Sequence, residues 1–304
     1  MKHLFIVNPA AGKYDHTEEY TKVIDRVCTK NHLDYEIAVT TAKGDDTVFA
    51  RKAAESGEEI RIYACGGDGT LNGVLNGVID CPNAAITHFP GGSGNDMIKI
   101  FSETEPFHHL ERLLYCEEAK FDVIAVNDEY SLNIVSMGFD ARVAAGVADY
   151  KHVPLLSGHG AYVLSAGINA VKGLSQNFTV TLDGGECVNS DQTLICICNG
   201  RWYGGGYNPV PDAMPDDGWL DVLLVKKLGL AKFAKLIGVY QRGGYRELSD
   251  FIRYERVKTM RVAAQAPTVI NIDGEIITAK EAEIRVIPQA VRFFYPKGLS
   301  YAVK

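Results

Sequence analysis

Along the first 120 residues, strand-like and helix-like segments alternate as a parallel sheet with covering helices requires. Leu4 to Val7 is a short unbroken apolar strand, and Tyr20, Val23, Ile24, Val27 and Cys28 then recur at helical spacing. Tyr35 to Val39 reads as the next strand and Thr47 to Ala54 as a helix. Ile60 to Cys65 is a third strand, running into Gly66-Gly67-Asp68-Gly69-Thr70. A helix through Val74, Leu75 and Val78 follows, then a strand from Ala84 to Phe89 that ends in Pro90-Gly91-Gly92-Ser93-Gly94-Asn95-Asp96. Two glycine-rich loops therefore each follow a strand.

From Phe121 the texture becomes the short alternating runs of an antiparallel sheet. They are Phe121 to Val126, Phe178 to Leu182, Thr193 to Cys198, Trp219 to Val225, Thr268 to Ile272 and Ile284 to Ile287. Helical spacing interrupts them over Tyr162 to Val171 and Leu230 to Tyr240, and Val291 to Tyr295 has the form of a strand returning to the first half. The pattern predicts an α/β fold. Residues 1–122, with a return over about 290–304, form a parallel-sheet nucleotide-binding domain, and residues 123–289 form a second, β-rich domain.

Composition narrows the function classes. At 304 residues the chain is about twice a usual domain length, and 46% hydrophobic with 23% charged residues is ordinary for a folded protein. A net charge of −7 argues against a nucleic-acid partner held by a broad basic face, while a local basic patch is still allowed. The seven cysteines are odd in number and form no CxxC pair, which points to thiols in a reducing compartment and a cytoplasmic protein. Four apolar residues precede Asn8-Pro9, too few for a signal-peptide core, and no run of ~18 apolar residues occurs.

The glycine loops carry the candidate chemistry. Gly66-Gly67-Asp68-Gly69-Thr70 at a strand-to-helix junction can turn sharply, expose successive N–H groups and let phosphate oxygens approach. Asp68 adds a carboxylate suited to a magnesium-bound nucleotide, or else caps the helix. In Gly91 to Asp96, Ser93 and Asn95 are donors and Asp96 is a cap or the partner of a cation. Asn8-Pro9-Ala10-Ala11-Gly12-Lys13 supplies a third loop, with Lys13 able to reach phosphate or hold a carboxylate. Three such loops after parallel strands would form one crevice at the strand carboxyl ends. No GxxxxGK[ST] occurs, and Gly67-Asp68-Gly69-Thr70-Leu71-Asn72-Gly73 has one residue too many for a dinucleotide fingerprint.

Taken with GGDGT (66–70), the stretches PGGSGND (90–96), NIVSMGFDA (133–141), NGRWYGGGYNPVPDAMPDDGWLDV (199–222) and NIDGE (271–275) resemble the bacterial diacylglycerol kinase and lipid kinase family over the whole chain. GGDGT is shared with NAD kinases and phosphofructokinases; the GGG, PDA, DDG and LDV block followed by DGE is the specific part. The resemblance implies an ATP- and Mg²⁺-dependent kinase of a lipid hydroxyl, with diacylglycerol as first guess and the active site between an α/β domain and a sandwich-like one. It places ATP on Asn8, Pro9, Ala10, Ala11 and Gly12, on Thr41, on Gly66, Gly67, Asp68, Gly69, Thr70, Leu71, Asn72 and Gly73, and on Ser93. Glu275 matches the proton acceptor with Asp273 beside it; Lys13, Asp96 and Asp122 match a charged network lining the cleft. The Met214 and Trp219 carbonyls with the Asp217 carboxylate match a magnesium site.

Three positions depart from the pattern: Gly73 where the family often has Glu, Lys99 where it has Arg, and Ser165 where some relatives carry a cleft lysine. Without turnover, the same chain would be a nucleotide-binding sensor; with a soluble acceptor, an NAD-type kinase. Lys226 to Arg246 holds six basic residues and no acid, with an apolar stripe of Leu228, Leu230, Phe233, Leu236, Ile237 and Tyr240. That segment either meets the inner membrane face or packs its stripe on the sheet with its lysines in water. The expected partners are ATP and a membrane lipid, with peripheral membrane contact and a homodimer left open.

Overall fold

The structure, a computed structural model, describes residues 1–12, 14–150 and 158–302. The amino-terminal half is built from β1 (Lys2–Val7), α1 (Thr17–Lys30), β2 (Asp34–Val39), α2 (Asp45–Ala54), β3 (Ile60–Gly66), α3 (Asp68–Val78), β4 (Ala84–Pro90) and a short α4 (Leu110–Leu114). Then come β5 (Cys116–Val126), β6 (Glu129–Ser131), β7 (Ile134–Gly138), α5 (Phe139–Tyr150), α6 (Gly158–Val171), β8 (Gln176–Leu182) and β9 (Cys187–Cys198). The chain ends with β10 (Leu220–Lys226), α7 (Leu230–Gln241), β11 (Ile252–Val257), β12 (Thr259–Ile272) and β13 (Glu275–Pro296).

The strands β2-β1-β3-β4 pair in parallel, and each is joined to the next by a covering helix. β13 then adds beside β4 in parallel, through Arg292↔Ala85 and Phe293↔Ile86, and the remaining order β12-β7-β9-β10-β11 is antiparallel. The two runs read in sequence as Ile284 to Ile287 and Val291 to Tyr295 are thus one strand. A register shift between Ile287 and Val291, with Gln289 at φ 52°, bends that strand from one half into the other. β5 pairs with β13 on both sides of the bulge.

Aromatic packing welds the return strand to the parallel sheet. Tyr63 of β3 stacks on Phe5 of β1 at 4.2 Å and meets Phe294 of β13 edge-on at 5.0 Å, while Phe293 stacks on Phe121 of β5 at 4.9 Å. Such pairs contribute about 0.5–1.5 kcal/mol each beyond their burial. Among the described residues the second half has three further cores, one between the antiparallel strands, one under α7 and a small one of Phe139, Val143 and Leu174. Phe233, Leu236, Ile237 and Tyr240 of α7 pack there against Cys196, Leu223, Val225 and Ile252, so most of the apolar stripe faces the sheet and not a bilayer. Leu230, 60% accessible, stands out of it. No helix among the described residues is long and apolar enough to cross a membrane. All seven cysteines are unpaired; Cys28, Cys65, Cys196 and Cys198 are buried, whereas Cys187 is exposed.

Candidate active site

Three loops meet at the carboxyl ends of β1, β3 and β4, and missing side chains make the meeting possible. A Cβ on Gly12 would lie 2.7 Å from the Gly91 carbonyl oxygen, and one on Gly92 would lie 2.5 Å from the Gly67 Cα. The Gly66 carbonyl binds the loops together, accepting the Gly91 N–H at 2.7 Å and the Gly92 N–H at 3.2 Å, with His88 Nε2 at 2.9 Å. Because a carbonyl only accepts, Nε2 carries the proton, and burial keeps this imidazole neutral by lowering its pKa against the pull of Asp68. Asn8 closes the third side through its Nδ2, 3.0 Å from Thr70 Oγ1.

Two acids flank this crevice. The Asp96 amide donates to Asp68 Oδ1 at 2.5 Å, and an imagined Cβ on Gly94 would stand 2.5 Å from Asp68 Oδ2 and 3.5 Å from Asp96 Oδ2. The space left by Gly94 is therefore bounded by two carboxylate oxygens. Burial, together with the Asp96 charge and opposed by His88, pushes the Asp68 carboxyl above the usual range. Asp96 is itself buried, with Oδ1 2.5 Å from Lys99 Nζ and Oδ2 accepting the Gly205 N–H at 2.9 Å. Lys99 thus supplies a cation where the family has Arg, and the GGG stretch of the second half reaches the crevice through Gly205.

The turn Asp273-Gly274 between β12 and β13 delivers Glu275 to the same place. Glu275 Oε1 lies 3.6 Å from where a Gly69 Cβ would stand, over the first turn of α3, and Oε2 pairs with Lys43 Nζ at 2.6 Å. Its side chain is 42% accessible. Asp273 has the opposite character. Its carboxylate accepts the amides of Leu132 (2.8 Å), Asn133 (3.3 Å) and Ile134 (2.8 Å) and the Asn72 Nδ2 (3.3 Å). Burial pushes its pKa up against these donors. Asp273 thus anchors the turn that carries Glu275.

Other expected site residues turn elsewhere. Leu71 points into the core, and Asn72 ties α3 to the Tyr130 carbonyl at 2.8 Å as well as to Asp273. Thr41 donates its amide and hydroxyl to Asp45, at 2.7 and 2.9 Å, at the end of β2. Ser93 is exposed at its loop tip, Pro9 is half-buried, Ala10 is exposed and Ala11 half-buried. Lys13 lies outside the described residues.

Asp122 does not line the crevice. Fully buried, it accepts the Gly218 amide at 2.6 Å and the Gln289 amide at 2.8 Å, clasping the 215–218 turn to the bulge of β13. In that turn Asp217 Oδ1 accepts the Trp219 amide at 3.1 Å and Oδ2 is paired with Arg256. The expected magnesium position at Met214, Asp217 and Trp219 thus has its carboxylate already neutralised by a guanidinium, a poor fit for a divalent ion.

Two family models account for nearly all of the chain: the diacylglycerol kinase catalytic domain matches residues 2–126, and the YegS C-terminal NAD kinase beta sandwich-like domain matches residues 133–295. The chain belongs to this lipid kinase family. A protein of Chromohalobacter salexigens named "Probable lipid kinase YegS-like" is 29% identical over 94% of this chain and 92% of its own length. A diacylglycerol kinase structure from Bacillus anthracis str. Sterne shares the fold, with TM-score 0.71 and 20% identity over 98% of both chains.

Against that family the departures at positions 73 and 165 find physical reasons. A Cβ on Gly73 would collide with the Asp46 carboxyl at 2.3–2.5 Å, so Asp46 of α2 fills the space that a side chain at 73 would occupy. Ser165 is buried in α6 and donates to the Val143 carbonyl at 2.7 Å, which leaves no opening for a lysine at that position. Lys43, Asp46 and His88 were not singled out by the sequence reading, and Gly205 was read only as part of the GGG stretch. Lys43 sits two residues beyond Thr41 in a loop already marked for the nucleotide, the one signal that pointed to it.

Proposed function

We propose that the chain transfers the γ-phosphoryl group of ATP, taken up with Mg²⁺, to the hydroxyl of a membrane lipid, with diacylglycerol as first substrate and phosphatidic acid as product. One observation carries this reading: Glu275, presented by the second half, stands over the Gly66–Gly73 turn where the three glycine loops close on each other. Phosphoryl transfer is chiefly a matter of alignment and charge neutralisation. The amides of Gly12, of Gly67 to Thr70 at the start of α3, and of Ser93 and Gly94 would hold the phosphates, with Thr41 and Ser93 at the rim and Lys13, next in sequence to Gly12, as the expected cation. Asp68, whose Oδ2 faces the space at Gly94, would hold the Mg²⁺ of the nucleotide, beside an Asp96 already paired with Lys99; that ion would neutralise phosphate charge. Glu275 orients the acceptor hydroxyl and takes its proton, while Asp273 keeps the turn in position.

The deciding experiment incubates the protein with labelled ATP and a panel of lipids in mixed micelles and separates the products. Labelled phosphatidic acid is expected, and E275Q should lower kcat roughly 10²–10⁴-fold with unchanged thermal unfolding. Wild-type turnover in E275Q overturns the role of Glu275. No labelled lipid at all favours the nucleotide sensor. We place the working protein in the cytoplasm at the inner membrane face, through the lysines of α7; K232E/K235E should then weaken liposome flotation, and unchanged flotation excludes that contact.

A further inference from the structure

The turn from Asp212 to Asp221 gathers four acids, and each has a specific partner. Arg246 Nη1 pairs with Asp212 at 2.6 Å, Tyr301 Oη donates to Asp216 at 2.8 Å, and Tyr254 Oη donates to Asp221 at 2.5 Å. The fourth, Asp217, is held by Arg256.

The position of Arg256 is set by the sheet. Asp221 of β10 and Arg256 of β11 are cross-strand partners, so backbone pairing alone brings the guanidinium to the foot of the turn. From there Nε lies 3.6 Å from Asp221 Oδ1 while Nη2 binds Asp217, and one guanidinium bridges both carboxylates. Its carbon also lies 5.6 Å from the centre of the Trp219 ring, and Lys258 Nζ lies 4.8 Å from it. Two cations therefore already bracket the residue that ends the turn.

We propose that Arg256 is the resident cation of this turn, performing there the charge neutralisation a bound divalent ion would perform, so that folding of the 213–219 segment needs no Mg²⁺. A divalent ion entering at Asp217 would give up a preplaced fork of donors and stand beside two fixed positive charges. The inference does not depend on which reaction the crevice carries out.

Thermal unfolding of the ligand-free full chain in EDTA and in millimolar Mg²⁺ tests it without any assay of turnover. Wild type and D217N are each expected to unfold at the same temperature in both buffers. R256Q should unfold roughly 2–4 °C lower in EDTA and regain part of that in Mg²⁺, as the vacated carboxylate becomes open to the ion. R256K, which keeps the charge and loses the fork, should stay insensitive to Mg²⁺. A wild-type gain in Mg²⁺ that D217N abolishes overturns the proposal, as does R256Q unfolding like wild type in EDTA. Should R256Q fail to fold, the comparison of wild type with D217N still decides.

Discussion

The crevice at the ends of β1, β3 and β4 and the acidic turn from Asp212 to Asp221 both organise charge at a bend, by opposite means. At the crevice missing side chains do the work: Gly12, Gly67 and Gly92 let backbones approach one another, and Gly94 leaves a space bounded by two carboxylate oxygens. At the acidic turn the side chains do everything, and partners come from residues 246, 254, 256 and 301 and from Asp122. The lesson concerns tolerance. A site made by missing atoms is sensitive to added volume, whereas one made by paired charges is sensitive to lost charge.

The contrast is sharpest inside a single turn, at Asp273 and Glu275. D273A removes the acceptor of three backbone amides and should cost roughly 3–5 kcal/mol of stability in urea unfolding, where E275Q should cost almost none. Equal losses would erase the distinction between anchor and working carboxylate. Next comes Asp140, at the start of α5, whose carboxyl burial pushes up to about 6 from its ordinary 3.8 despite the Ala141 amide donated to Oδ1 at 2.7 Å. Below about pH 4 the acid is neutral in both states. Between about pH 4 and 6 the unfolded chain has released this proton while the folded chain still holds it, so stability is lost across that window and the loss levels off above 6. Between pH 4 and 7 the stability of D140N relative to wild type should therefore climb by on the order of 2–3 kcal/mol; a flat difference shows that this carboxyl titrates normally.

Added volume at the crevice should act more weakly. G92A places a Cβ 2.5 Å from the Gly67 Cα and should cost roughly 1–3 kcal/mol and weaken nucleotide binding in calorimetry. Unchanged stability and affinity would mean the loops do not need to touch. The smallest effect belongs to K43Q. Its pair with Glu275 is well exposed, at 84% and 42% accessibility, so unfolding should move by under about 1 kcal/mol. A larger loss would make Lys43 part of the scaffold.

Much of the fold was legible because parallel strands buried on both faces read as apolar runs and covering helices show their period. β1, β3, β4 and α1 are recovered within a few residues of their ends. β7 was missed because Ser136 and Gly138 interrupt its buried run, leaving neither an unbroken apolar stretch nor an alternating one. Ile284 to Ile287 and Val291 to Tyr295 looked separate because Pro288 and Gln289 break the run, although a bulge carries the strand through them. For the site, the glycine loops could be read because the need for φ freedom and close approach is local to each loop. Asp122 and Asp273 looked like crevice acids because a sequence shows a carboxylate but not which amides surround it.

The order of residues alone determined that three glycine loops end three parallel strands and that an Asp-Gly-Glu turn joins two antiparallel ones, since both follow from backbone conformation over a few neighbours. Only the tertiary structure decided that Glu275 faces Gly69, that Asp46 occupies the space beside Gly73, and that Arg256 neutralises Asp217. Those outcomes depend on which side chain fills a given volume and which charge answers another across the sheet, and no short stretch of chain contains both partners.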